Sequence, residues 1–140
     1  MKICIVSDSH DRADALERAV NDAAAEGAQA VIHCGDLIGA HTLRPALRAG
    51  IPMHVIHGNN MGDPLALHNL SRASGGLLHY HGPDARLALG GRIERVATVK
   101  GGSAWLVNPG TIAGLSAPAT WVLGDLDAMR YEVFKLSMAA

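Results

Sequence analysis

Met1-Lys2-Ile3-Cys4-Ile5-Val6-Ser7-Asp8-Ser9-His10-Asp11 opens the chain and decides its fold. A short apolar run, Ile3 to Val6, ends in a polar cluster, and helical periodicity follows. The order is strand, loop, helix, with Asp8 and His10 on the loop. In open α/β sheets, ligands sit beyond the carboxyl ends of the strands. A carboxylate and an imidazole two residues apart can both reach one ion there, and that pair of donors suits Mn, Fe, Ni or Zn. Taken alone, the same residues read equally well as a capping Asp11 beside two solvated turn residues.

Two further stretches repeat the pattern. Leu16, Ala19, Val20, Ala23 and Ala24 give one apolar face to a helix from Asp11 to Gly27. Asp11 or Asp14 can cap it, and Gly27 stops it. A second strand, Ala28 to Cys34, ends at Gly35-Asp36. His41 to Gly50 reads as a short helix with Thr42 as its N-cap and Pro45 in its first turn. Ile51 to His57 is a third strand, ending at Gly58-Asn59-Asn60, and a helix from Pro64 to about Ala73 follows, with Gly75-Gly76 as its stop. Strand, loop and helix in threefold succession predict a parallel sheet with right-handed crossovers. Asp8, His10, Asp36 and Asn59 then share one rim of that sheet.

Past residue 76 the pattern changes to short β-like runs at Leu77–Gly82, Arg86–Leu89, Arg92–Val99 and Ala104–Val107. Thr120–Leu126 and Met129–Leu136 make a final hairpin with its turn at Asp127-Ala128. The expectation is an α/β fold with two packed sheets flanked by helices, formed as one domain over residues 1–140.

Composition narrows the function. The 140 residues are 49% hydrophobic with a net charge of -1, which suits a folded globular protein. No basic surplus argues for nucleic acid, and no apolar run is long enough to span a membrane. The first residues read as a strand rather than a signal peptide. Cys4 and Cys34 each lie in an apolar run and form no Cys-x-x-Cys pair, so free thiols in the cytoplasm are expected. All eight His lie between His10 and His81.

Gly35-Asp36 adds a carboxylate able to bridge two cations, and Asn59 adds an amide oxygen. Two metals a few ångström apart can clamp a phosphoryl group and activate water. Singly, Asp36 reads as a cap and Asn59-Asn60 as a turn; together in this order they point to a site. Asp8-Ser9-His10, Gly35-Asp36 and Gly58-Asn59-Asn60 resemble the first three motifs of the calcineurin-like metallophosphoesterases, and most closely the small bacterial YfcE-type phosphodiesterases. Trp105 to Thr111 resembles the family's late strand and Asn-Pro-Gly turn, and Pro118 to Asp127 its terminal hairpin.

The resemblance implies roles. Asp8 and His10 hold a first metal, Asp36 bridges, and Asn59 holds a second. Asn60 stands where many relatives carry a His that meets the phosphate or leaving group. Asp36, Asn59 and Asn60 are therefore the catalytic candidates, and Asp8, His10, Asp36 and Asn59 the metal ligands. The implied cofactor is a divalent metal, manganese first, with iron, nickel or zinc as alternatives.

The family also supplies one strand-end His and a Gly-His-x-His segment, and the latter is missing. Two placements are open. His81-Gly82 is the strand-end motif, or Leu77–Gly82 is an earlier strand and the chain passes from Leu87–Ile93 directly into Glu94-Arg95-Val96. The second is preferred; it makes His79 and His81 hairpin residues and removes three ligands. His33 and His57 close apolar strands, and each reads as a strand-end His without a catalytic role before a donor to a ligand. Two functions follow from the whole. One is a metal-dependent phosphodiesterase acting on a small-molecule phosphoester. The other is a catalytically impaired binding or scaffold protein on the same fold, a pseudoenzyme. Loss of an internal segment would expose apolar surface, so an altered dimer interface in a homo-oligomer, or reduced stability, is expected.

Overall fold

Alternating apolar residues place the first strand, β1 (Lys2–Val6), between two cores. Cys4 and Val6 face one way, Ile3 and Ile5 the other, as a period of two requires. The computed structural model describes residues 1–58, 60, 62–76, 78–80, 92–97 and 101–137, with the backbone alone at 78–80, 92, 94–97, 103 and 104.

The elements run β1, α1 (Ala13–Ala25), β2 (Ala28–His33), α2 (Ala40–Ala46), β3 (Met53–His57), α3 (Pro64–Ala73) and β4 (Leu78–Tyr80). They continue with β5 (Arg92–Ala97), β6 (Ser103–Asn108), β7 (Thr120–Asp125) and β8 (Arg130–Lys135). One six-stranded sheet has the order β4-β3-β2-β1-β7-β8. Its first four strands are parallel, and β7 and β8 are added antiparallel. β5 and β6 form a separate antiparallel ribbon.

The helical face of the sheet buries Leu16, Ala19, Val20 and Ala23 of α1 against Cys4, Val6, Val31, Val55 and Trp121. The opposite face packs Ile3, Ile5, Ala30 and Val122 against Ile93 and Val107 of the ribbon. Two packed sheets are present as expected. Among the described residues the helices cover only one outer face, because the ribbon covers the other side of the large sheet.

Helix ends differ from expectation in instructive ways. Neither Asp11 nor Asp14 caps α1; its N-cap is Arg12, without a side-chain cap bond. Backbone bonds from the Arg12 N–H to Ser9 O and from the Ala13 N–H to Asp11 O turn the chain there instead. Asp14 pairs with Arg12 at 3.0 Å, and Asp11 with His41 at 3.2 Å. Gly27 ends the helix at φ +91°, a left-handed stop that suits glycine. The cap of α2 is Gly39, and Thr42 lies buried inside the helix. Pro45 is therefore in the second turn, and α2 tightens into a 3₁₀ turn at Leu47–Ala49. Pro supplies no N–H and crowds the preceding turn. For α3, Asp63 accepts from the Ala66 N–H at 3.1 Å and Pro64 takes the first position.

β4 pairs in parallel with β3, which places the backbone of His79 beside Ile56; the hairpin expected there rests on residues 81–91, outside the described residues. The expected run Arg86–Leu89 and His81 lie outside the described residues. Among the described residues no helix is long and apolar enough to cross a membrane.

Candidate metal centre

The β1–β2 ladder does not stop where the strands end. The Cys34 N–H donates to Val6 O at 2.8 Å, the Asp8 N–H to Gly35 O at 2.9 Å, and the His10 N–H to Asp36 O at 2.9 Å. The two strand-end loops are thus zipped side by side. Their ligand atoms meet: one donor atom from each of Asp8, His10 and Asp36 lies within 4.8 Å of the others. Asp36 is buried, and Asp8 and His10 are half-buried.

All three residues adopt left-handed backbone, with φ of +51°, +46° and +54°. That region is sparsely used by side-chain-bearing residues and tolerated best by Asn, Asp and His. Each such residue costs of order 1 kcal/mol or more and persists only where its surroundings enforce it. Here the surroundings are visible. The Ile112 N–H bonds Ser7 O at 2.9 Å and the Ala113 N–H bonds Asp8 O at 3.0 Å. The Thr111 hydroxyl also donates to Asp8 O, at 3.2 Å. This late loop follows Asn108, whose Oδ1 accepts the Gly110 N–H at 2.9 Å.

Glycine brings in the third loop. A Cβ on Gly58 would collide with the Asp36 backbone nitrogen and Oδ1, and one on Gly35 with Gly58 Cα. Only paired glycines let the β2 and β3 loops approach this closely.

His33 joins the two ligand loops from below. It is fully buried. Its Nδ1 accepts the Gly35 N–H at 3.2 Å, which puts the ring proton on Nε2. That nitrogen lies 2.8 Å from Ser9 Oγ and donates to it. Burial pushes the imidazole down to about 4, so it is neutral at pH 7. In the sequence a donor role for His33 ranks behind that of an ordinary strand-end His. The available signal was a polar residue at an inward position of an apolar strand, three residues before Asp36.

Burial holds the Asp8 carboxyl above its ordinary value. A 2.6 Å bond from the Ser7 hydroxyl pulls it back, the Asp36 charge raises it again, and His10 lowers it. Two carboxylates that repel each other beside an imidazole form a donor set a divalent cation would satisfy. Asn60 lies against Asp36: its N–H donates to Oδ1 at 3.1 Å and its Nδ2 to Oδ2 at 2.9 Å. Asn59 lies outside the described residues. Burial, then Asp8, pushes the Cys34 thiol up to about 11, and burial also raises Cys4. Both are free thiols, poorly suited to nucleophilic work.

The family model for the calcineurin-like phosphoesterase superfamily domain matches residues 1–93, from β1 into the start of β5. No curated protein matches the chain significantly in sequence. Among solved structures, an archaeal phosphodiesterase is similar with TM-score 0.78 and 19% identity, over 97% of this chain and 100% of that one. The TT1561 protein of Thermus thermophilus gives TM-score 0.72 and 14% identity, over 97% and 99%. The YfcE phosphoesterase of E. coli gives 0.53 and 15%, over 98% and 100%. At such identities the structural likeness is one of fold.

Proposed function

The chain belongs to the calcineurin-like phosphoesterase superfamily, and from that premise we propose that it is a divalent-metal-dependent phosphodiesterase acting on small-molecule phosphoesters. The observation that carries this reading is the convergence of Asp8, His10 and Asp36 donor atoms within 4.8 Å. Their chemistry fits a divalent cation, manganese first, with iron, nickel or zinc as alternatives. When bound, such an ion supplies an electrophile for the phosphoryl oxygens and acidifies a water. The Asp8 and Asp36 carboxylates and the His10 imidazole would hold it. Asn59 is the proposed further ligand. The backbone bonds of the ligand loops orient these groups before any ion arrives, which lowers the cost of ordering them. Neighbours described as a phosphodiesterase and a phosphoesterase support the substrate class.

The test is hydrolysis of an aryl phosphodiester by the manganese-loaded protein, with Asp36→Asn as the comparison. Position 36 has a φ of +54°, which asparagine tolerates well, so the variant keeps its backbone and loses a charge. The expected result is a fall of at least ~100-fold with an unchanged circular dichroism spectrum, a loss on the scale of removing a metal ligand or electrostatic contact. An unchanged rate would rule the site out. The second reading, a binding protein on the same fold, is favoured by one observation: no His follows His81. Metal uptake with no turnover in the parent protein is its signature.

A further inference from the structure

We propose that this site holds one divalent cation rather than two, and that Asn60 is the positioning residue that takes the edge of Asp36 a second cation would need. The proposal rests on the metal-dependent reading above and specifies its stoichiometry. Three observations carry it.

Asn60 forks onto a single carboxylate, its N–H on Oδ1 at 3.1 Å and its Nδ2 on Oδ2 at 2.9 Å. Two donors from one residue cover one edge of the group, as a bidentate partner does. The fork leaves one outer lone pair on each Asp36 oxygen, and one of these oxygens lies within 4.8 Å of the Asp8 and His10 donor atoms. Space is the second observation. A Cβ on Gly58 would strike Asp36 Oδ1, so the β3 loop already fills the region beside that oxygen. Charge is the third. Asp8 and Asp36 supply two negative charges beside His10, which balance one dication. Among the described residues Asp36 belongs to no other group of three His, Cys, Asp or Glu donors, so a second dication would have Asp36 alone to share.

Asn60 is itself exposed, so its side chain can be replaced without opening the core. The experiment is a manganese titration of the whole chain followed by calorimetry and electron paramagnetic resonance. One ion per chain with the spectrum of an isolated Mn²⁺ is expected. Two ions per chain with an exchange-coupled spectrum would overturn the proposal and leave the phosphodiesterase reading standing. No bound ion would overturn both. In Asn60→Ala the single ion should bind ~10-fold more weakly, as for loss of a partner that orients a ligand, with the ion-free melting temperature unchanged. Equal affinity in a variant that melts like the parent would remove Asn60 from the role.

Discussion

His33 shows how one side chain can serve two loops. It carries no ligand atom, yet its nitrogens meet the Gly35 N–H and the Ser9 hydroxyl. Its burial has a consequence for pH. The folded-state value is about 4 against an ordinary 6.5, so between these values the unfolded chain binds a proton that the native state refuses. Stability therefore is full above pH 6.5 and is lost as pH falls toward 4, by up to roughly 3 kcal/mol. Urea unfolding at pH 7, 5.5 and 4.5 should show this slope in the parent and a flatter one in His33→Gln; equal slopes would count against it. Asp8, His10 and Asp36 were legible as a set because each follows an apolar strand, and parallel strands place such ends on one rim. Asn60 was legible only as a substitute for a phosphate-contacting His. Its bonds to Asp36 arise from the close approach of two loops, which no local pattern encodes. His33 was hidden for the same reason: its partners, Ser9 and Gly35, meet only once β1 and β2 pair.

At the scale of elements, the parallel strands, their helices and the glycine stops followed from the sequence, while the N-caps of α1 and α2 did not. Thr42 looked like a cap because its chemistry is right, but Gly39 reaches the start of α2 first, and the threonine is drawn into the core. The terminal hairpin was read correctly from two β-like runs on either side of the Asp127-Ala128 turn. Its anchor is Trp121, 2% exposed and stacked on Phe134 with ring centroids 4.4 Å apart. Trp121→Ala should cost about 3–5 kcal/mol in denaturant unfolding, the range for deleting a large buried aromatic. A loss below about 1 kcal/mol would show that the hairpin is not part of the cooperative core. The effect should reach the candidate metal centre as well. The Thr120 N–H at the start of β7 bonds Thr111 O at 3.0 Å, and its hydroxyl bonds Pro109 O at 2.7 Å. Those residues lead into the loop that holds Asp8.

For the whole molecule, an ion that binds only the native state must stabilise it. At one hundred times its dissociation constant, manganese should add about 2.7 kcal/mol, or roughly 10 °C in melting temperature for a domain of this size. Asp36→Asn should show little of that gain, and an equal gain in both proteins would place the ion elsewhere. The whole fold converges on this corner of the sheet: β1, β2 and β3 end there, and the loop ahead of β7 closes over Asp8. The left-handed backbone at Asp8, His10 and Asp36 then has an evolutionary reading. Under the proposed function these positions answer to two selective pressures, one from chemistry and one from conformation. A descendant freed from catalysis would still be penalised for Val or Ile there, and far less for Asn or Gly. Its ancestry would remain written in small polar residues and glycines at the same positions, retained by the backbone after the reaction had gone.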